Sequence, residues 1–235
     1  MRIDKFLSHA GFGTRKEVKK LIRSGLVSVN GVVIKNDDAK IDEISDEIMI
    51  GDEMVNYQKD VYLMMNKPAG YISATEDDYE PTVMDLFTKY EGKDIFPVGR
   101  LDKDTEGFLL LSNDGDLAHR LLSPKHHVEK EYYVELDHDF DESYVPSIEE
   151  GIRLNDEEVC APAKVCNIQG NCLHLILTEG KFHQVKRMMI ACDNEVTYLK
   201  RLRMGNLWLD DSLESGDYRP LTEEELLLLE CKKEA

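Results

Sequence analysis

The sequence has few cysteines, no long apolar run and no apolar leader. Its first five residues (Met-Arg-Ile-Asp-Lys) lack the apolar segment of a secretory signal. The longest apolar runs, residues 108–111 and 226–229, are far too short to cross a bilayer. An odd number of cysteines without a signal indicates reduced thiols rather than disulfides. We therefore expect a cytoplasmic protein with no membrane partner. The five cysteines are Cys160, Cys166, Cys172, Cys192 and Cys231.

The common nucleotide, metal and hydrolase motifs are also missing. There is no glycine-rich phosphate loop, no H-E-x-x-H and no G-x-S-x-G. Cysteines 160, 166 and 172 are six residues apart, whereas zinc ligands come in closer pairs. His126, His127 and His183 lack partners at metal-ligand spacing. We expect neither a metal nor a small-molecule cofactor.

The amino-acid composition is typical of a globular protein. The chain has 235 residues, of which 42% are hydrophobic and 8% aromatic. This length allows one or two domains and a core that needs no disulfide or metal to fold. The composition therefore excludes a disordered chain.

The charge is divided unevenly along the chain. The net charge is −18, which by itself argues against a nucleic-acid partner. Residues 1–35, however, hold eight Lys or Arg and two acids, which gives 8 − 2 = +6 and leaves −18 − 6 = −24 for the remainder. Such asymmetry indicates contact with a polyanion at the basic end.

A basic helix is predicted over residues 13–25. Thr14 and Glu17 have the spacing of a capping box, and Gly25 can end the helix. A hairpin with an Asn30-Gly31 turn follows. A solvated helix face usually mixes signs, whereas this one carries four cations, so we interpret it as a phosphate-facing surface. The four are Lys16, Lys19, Lys20 and Arg23.

The rest of the chain alternates strands and short helices, which predicts an α+β fold with largely antiparallel strands. We place the domain boundary near residue 58, giving domains 1–58 and 59–235. Asp116 is predicted to cap a short helix over 117–122. The other predicted helices are 182–191 and 223–230. The predicted strands are 61–65, 95–98, 107–112, 129–136, 171–177 and 196–200.

Four segments are richer in polar residues than folding requires, although each alone is a weak signal. They are Asn-Lys-Pro-Ala-Gly at 66–70, Gly-Arg-Leu-Asp at 99–102 continuing to 107, Glu-Lys-Glu-Tyr-Tyr-Val at 129–134, and Glu-Gly-Lys-Phe-His-Gln-Val-Lys-Arg-Met at 179–188. Tyr132 and Tyr133 fall on opposite faces of a strand, so one is expected in the core and the other available.

Together these segments resemble the motifs of the RsuA-type pseudouridine synthases, and residues 99–115 carry the most specific of them. The N-terminal unit resembles an S4 RNA-binding domain, which this family carries before its catalytic domain. The resemblance covers nearly the whole chain in the right order. Lys186 stands where many members have Arg, so it would pair a carboxylate without a bidentate fork.

The resemblance implies isomerisation of a uridine in ribosomal RNA to pseudouridine without a cofactor, with small-subunit RNA favoured. Asp102 would be the essential carboxylate, Tyr132 the ring that packs on the flipped uracil, and Lys186 the basic partner. Whether Asp102 attacks C1′, attacks C6 or assists a glycal path stays open. The expected substrate is rRNA or a pre-ribosomal particle, bound by a monomer. The expected RNA contacts are Arg2, Arg15, Lys16, Lys19, Lys20, Arg23, Arg100, Lys181, His183 and Arg187.

Three alternatives remain beside this interpretation. The same chemistry could act on large-subunit rRNA. The chain could be a non-catalytic RNA-binding protein of ribosome assembly, although such a protein would have no chemical need for Asp102, Tyr132 and Lys186 together. It could also be a carboxylate enzyme such as a glycosidase, which predicts a second catalytic carboxylate and no RNA affinity.

Overall fold

A computed structural model describes residues 1–43, 45–55, 60–87 and 94–230. The predicted boundary at residue 58 and the fifth cysteine, Cys231, lie outside these residues. The α-helices are α1 Ile3–His9, α2 Arg15–Arg23, α3 Gly115–Leu122, α4 Val145–Glu150, α5 Gln184–Ile190 and α6 Glu223–Glu230. The strands are β1 Val27–Val29, β2 Val32–Val33, β3 Ile48–Ile50, β4 Glu53–Met54, β5 Tyr62–Lys67, β6 Phe96–Val98, β7 Glu106–Ser112, β8 Lys130–Leu136, β9 Lys164–Gln169, β10 Cys172–Leu177, β11 Val196–Met204, β12 Leu207–Trp208 and β13 Tyr218–Pro220.

The N-terminal unit, Met1–Asp60, contains α1, α2 and a small antiparallel sheet in the order β2-β1-β3-β4. Thr14 and Glu17 form the predicted capping box at the start of α2. Asn30 and Gly31 both have positive φ, as the predicted hairpin turn requires. Apolar side chains of both helices and of β1 and β3 share one core, including Ile3, Val18 and Ile22. The predicted basic helix and hairpin turn are thus confirmed, whereas α1, β3 and β4 were not predicted from the sequence.

The C-terminal unit, which comprises Val61–Phe87 and the chain from Ile95 onward, is built on a nine-stranded mixed sheet. Its main order is β13-β5-β7-β11-β8-β10-β9, with β6 beside β7 and β12 beside β11. Only the β7–β11 pairing is parallel among the strand pairs of the described residues. The α+β class with a largely antiparallel mixed sheet is confirmed.

The centre of this sheet is closely packed on the side covered by α3 and α6. Phe108 and Leu110 of β7 pack there with Leu117 and Leu121 of α3 and with Leu229 of α6. β7 is buried along almost its whole length, so its apolar run needs no alternation. This buried strand begins directly after the loop that carries Asp102.

Four predicted boundaries are wrong in ways that matter for the site. Helix α3 is capped by Asp114 instead of Asp116, because the Asp114 carboxylate accepts the N–H groups of residues 116 and 117. Strand β5 continues through Lys67, and β11 continues from residue 200 to Met204. Helix α5 starts at Gln184, which leaves residues 182 and 183 in the preceding loop.

In the ranges that the structure describes, we find no helix long and apolar enough to span a membrane.

Candidate functional site

Asp102 lies in the loop between the antiparallel neighbours β6 and β7. Gly99 opens this loop with φ +81°, a conformation that favours glycine. The Ser73 hydroxyl holds Leu101 by donating to its carbonyl and accepting from its N–H, both at 3.0 Å. The N–H of Thr105 donates to the Asp102 carbonyl at 3.1 Å. The loop is thus fixed on both sides of Asp102, whose side chain remains 26% exposed.

The buried side chain of Lys67, at the end of β5, ties this loop to the sheet. Its ammonium group donates to the carbonyl oxygens of Asp102 at 3.1 Å and Thr105 at 2.8 Å. It also donates to those of Pro68 and Lys103. Burial lowers the pKa of Lys67 to about 8, against the opposing charges of nearby acids. The motif at 66–70 is visible in the sequence, but the sequence assigns no role to its lysine.

Lys186, on α5, lies between two carboxylates of the loop. Its Nζ is 3.5 Å from Asp102 Oδ2 and 2.6 Å from Asp104 Oδ1. His183 Nε2 is 3.8 Å from the other oxygen of Asp102. Burial raises the pKa of Asp104, but the hydrogen bond and charge of Lys186 outweigh it and lower that pKa overall. The structure therefore brings together Asp102, Lys186 and His183, and adds Asp104.

The sheet register places Tyr132 on the same face as Lys67. Lys67 pairs with Gly107, Gly107 with Arg201, Arg201 with Tyr132, and Tyr132 with Leu175. Residues in one such row project their side chains from the same face of a sheet. Lys67 contacts the backbone of the Asp102 loop, so Tyr132 is on the face that carries this loop.

Tyr132 and Tyr133 lie on opposite faces of β8, as predicted. Tyr132 is the more buried of the two, at 9% exposure. Tyr133 is half-buried and its hydroxyl bonds Glu135 and Cys172. Tyr132, to which the family resemblance assigns the role of packing on the uracil, is thus the more buried of the two tyrosines.

Two further buried cations lie on this face and were not predicted. Arg201 is 1% exposed and donates from Nε to the Phe108 carbonyl at 2.7 Å, while its Nη2 has no partner among the described residues. Lys130 is buried two residues before Tyr132. Burial, followed by the charge of Arg201, lowers the pKa of Lys130 to about 8. Because the predicted strand ends at residue 200, no sequence signal pointed to Arg201.

Two predicted RNA contacts, Lys181 in the loop before α5 and Arg187 in α5, are held by the protein itself. Lys181 donates to the Val159 carbonyl and is 3.5 Å from Glu179. Arg187 pairs with Glu158 and donates to the Phe182 carbonyl. Both side chains are about three-quarters buried, at 26% and 27% exposure. Neither is a freely extended cation.

The predicted basic face of α2 is divided. Arg23 forms a 2.7 Å ion pair with Asp37, and Lys19 is 3.7 Å from Asp4 and 4.0 Å from Asp37. Arg2 pairs with Asp4 and with Asp38. Of the predicted RNA contacts, four are exposed and form no ion pair with any acid that the structure describes. They are Arg15, Lys16 and Lys20 in this unit and Arg100 in the C-terminal unit.

Comparison with known proteins agrees with this geometry. Residues 61–191 match the RNA pseudouridylate synthase family, and residues 1–48 match the S4 domain. The chain is 50% identical over 234 residues to an uncharacterized RNA pseudouridine synthase of Bacillus subtilis, covering 97% of this chain and 98% of that one. It is 40% identical to a ribosomal small subunit pseudouridine synthase A of Haemophilus influenzae, with 96% and 98% covered. A crystal structure of a pseudouridylate synthase matches with a TM-score of 0.69 and 39% identity over 97% of this chain and 99% of that one.

Similarity at this level over almost the whole chain defines the class of protein as a pseudouridine synthase. The chain belongs to the RNA pseudouridine synthase family and carries an S4 domain in front of its synthase domain. The enzyme class and the family predicted from the sequence are confirmed.

Proposed function

We propose that this enzyme converts one uridine of small-subunit ribosomal RNA to pseudouridine. The observation that supports the chemistry is the Asp102 carboxylate, held on a fixed loop with Lys186 Nζ at 3.5 Å. The choice of RNA is supported by near full-length similarity to proteins named ribosomal small subunit pseudouridine synthase A. Large-subunit rRNA is the alternative substrate.

Asp102 is the proposed catalytic carboxylate. The reaction breaks the bond between C1′ and N1, turns the base, and joins C1′ to C5. The C5 proton leaves and N1 gains a proton, so the isomerisation balances without an oxidant or cofactor. A carboxylate is suited to attack, or to stabilise, the electron-poor centre that forms. The three routes, through C1′, through C6 or through a glycal, all use the same carboxylate.

Lys186 and Tyr132 are the proposed partners of Asp102. Lys186 balances the negative charge of both carboxylates when RNA displaces water from the site, because its ammonium group lies within 4 Å of each. Tyr132 offers its ring to the flipped uracil from the face that carries the loop. Flipping costs a few kcal/mol in lost stacking, which an aromatic contact offsets in part.

Cations of both units are proposed to bind the RNA backbone. In the N-terminal unit these are Arg2, Arg15, Lys16, Lys19, Lys20 and Arg23, and in the C-terminal unit Arg100, Lys181, His183 and Arg187. Phosphate contacts of this kind set affinity and position without specifying a base. The exposed cations should contribute most, since the paired ones must first leave their acids.

We further propose a division into an RNA-binding domain at 1–58 and a catalytic domain at 59–235. The family matches at 1–48 and 61–191 support it. The enzyme is proposed to act as a monomer, and in the cytoplasm, where ribosomes are assembled. The net charge of −24 on the chain after residue 35 disfavours binding of a short free RNA. A folded rRNA or pre-ribosomal particle, which offers several surfaces to bind, is therefore the proposed substrate.

The test is to map pseudouridines in both rRNAs from a strain lacking this gene, and then to restore the gene. We expect one small-subunit pseudouridine to disappear and to return only with the wild-type gene. Tritium release from [5-³H]uridine-labelled rRNA by the purified enzyme checks that the activity is direct. A lost site in the large-subunit RNA would contradict the proposed substrate, and no lost site would favour the assembly role.

A further inference from the structure

Two aromatic rings form an exposed stack beside the catalytic loop. The ring centroids of Phe182 and His183 are 3.9 Å apart and the ring planes differ by 17°. His183 Nε2 lies 3.8 Å from Asp102 Oδ1. Phe182 is 77% exposed, although burying a phenyl ring away from water is favourable. An exposed ring stack at this position is therefore a candidate for contact with the substrate.

The loop that carries the two rings is held in place by hydrogen bonds of a buried glutamine and of Arg187. The Gln184 side chain, 4% exposed, accepts from the Lys181 N–H at 2.9 Å and donates to Glu179 at 2.7 Å. Arg187 donates to the Phe182 carbonyl at 3.2 Å. His183 adopts a left-handed backbone with φ +48°, a conformation that non-glycine residues rarely take. The stack is thus preorganised, so little conformational entropy is lost when a third ring binds to it.

The surroundings favour a nucleobase as that third ring. The cations Lys181, Lys186 and Arg187 of this stretch are each paired with acids of the protein. What the loop offers to RNA is therefore an aromatic face, and every nucleobase has a face on which such a ring can stack. One face of Phe182 lies against His183, which itself reaches Asp102. Phe182 therefore has one ring face covered by His183, and its outer face is available to a base next to the target uridine.

We propose that the Phe182–His183 pair stacks on the nucleobase that adjoins the target uridine. When the uridine flips out, its neighbour loses a stacking partner, and the open face of Phe182 replaces it. This lowers the cost of flipping and selects RNA in which the neighbouring base is unpaired. The proposal rests on the RNA substrate of the family and holds for either ribosomal subunit.

The first experiment compares Phe182→Leu and Phe182→Trp in the full chain. Leu keeps an apolar side chain but has no planar face, whereas Trp keeps one. The matched control is Ile190→Ala, an exposed apolar residue at the far end of α5. The substrate is a transcript containing whichever rRNA uridine has been mapped as the target. By tritium release, kcat/KM should fall about tenfold for Phe182→Leu, recover at least threefold with Trp, and stay unchanged in the control.

The second experiment removes the neighbouring base instead of the ring. An abasic site 5′ or 3′ of the target uridine should lower kcat/KM of the wild type about tenfold at one of the two positions. In Phe182→Leu that abasic site should have no further effect, because ring and base form one interaction.

The proposal would be overturned if Phe182→Leu and the abasic site lowered kcat/KM independently, so that their effects multiplied at both the 5′ and the 3′ position. It would also be overturned by a Phe182→Leu enzyme as active as the wild type. Either result is distinguishable from failure of the proposed substrate. A target in large-subunit RNA would refute only the small-subunit assignment, since the same variants would then be measured on that RNA.

Discussion

The ammonium group of Lys67 donates to the backbone carbonyl of Asp102 at 3.1 Å. A buried side chain at the end of β5 thereby fixes the position of the proposed catalytic carboxylate, 35 residues further along the chain. The same ammonium group serves Pro68, Lys103 and Thr105, so three N–H bonds are shared by four acceptors. This contact makes the loop sensitive to the protonation of a lysine that does not itself contact solvent.

The first prediction is a loss of activity above pH 8. The pKa of Lys67 is lowered by burial from 10.5 to about 8 in the folded enzyme. Above that pH the neutral amine has two protons for four carbonyls, so the Asp102 loop loosens. Between pH 8 and 10.5 the unfolded chain binds the proton that the folded chain lacks, so the free energy of unfolding rises with pH through this ionisation. We expect kcat/KM to fall above pH 8 while denaturant midpoints do not fall through this ionisation.

Lys130 provides the control, because its pKa is also lowered to about 8. Lys130→Met should keep the break in the pH profile, and Lys67→Arg should remove it, since a guanidinium stays protonated. If the break is lost in Lys130→Met and remains in Lys67→Arg, then Lys130 causes the pH dependence and the prediction for Lys67 is wrong.

The second prediction separates the two carboxylates that share Lys186. Asp102→Asn should lower turnover to about one thousandth of the wild-type rate or below, because the amide can neither attack nor stabilise positive charge. Asp104→Asn should cost about tenfold at most, because Lys186 can then serve Asp102 alone. Tritium release gives the rates, and filter binding should show RNA affinity largely retained in both. Turnover by an Asp102→Asn enzyme that mass spectrometry shows free of deamidation would contradict the assignment.

The third prediction concerns the ring of Tyr132. Tyr132→Phe should retain more activity than Tyr132→Ala, because stacking depends on the ring face and contributes about 1–3 kcal/mol per base. Tyr132 is 9% exposed, so part of the loss in Ala will come from the cavity it leaves. Thermal unfolding of both variants measures that part. Equal loss in Phe and Ala would assign a chemical role to the hydroxyl.

The fourth prediction is that the cations of α2 contribute unequally to RNA binding. Neutralising Lys16, Lys19 and Lys20 together should reduce the slope of log K against log salt by roughly 0.7 for each single-strand phosphate that is no longer neutralised. The exposed Lys16 and Lys20 should account for most of it, because Lys19 already faces Asp4 and Asp37.

Asp37→Asn is the complementary variant, and it should tighten RNA binding by releasing Lys19 and Arg23 from their ion pairs. Binding titrations over a salt series measure both effects. An unchanged slope in the triple variant would show that this helix face does not meet RNA.

The fifth prediction concerns Gly107, which has φ +96° where β7 passes β11. A Cβ on this residue would run into the backbone of Arg201, so Gly107→Ala should lower the free energy of unfolding by about 2 kcal/mol or more. Gly115, the first residue of α3, has nothing within 4 Å of its Cβ position. Gly115→Ala should therefore be neutral or stabilise by up to about 1 kcal/mol. Denaturant titration compares the two, and equal effects would contradict the close approach.

The sequence by itself determined what depends on neighbours along the chain. The capping box at Thr14, the Asn30-Gly31 turn and the apolar run of β7 are local signals, and each forms as predicted. The family motif at residues 99–115 likewise singles out Asp102 from the sequence alone. The charge division at residue 35 indicates which end of the chain contacts a polyanion.

Only the tertiary structure decided which distant side chains meet. The contact of Lys67 with the Asp102 loop depends on the pairing of β5 with β7, and the place of Arg201 beside Tyr132 on the register of β11 and β8. The pairing of Arg23 with Asp37 depends on a loop folding back on α2. Strand order and register are set by the sum of many weak packing contacts, which local periodicity does not encode.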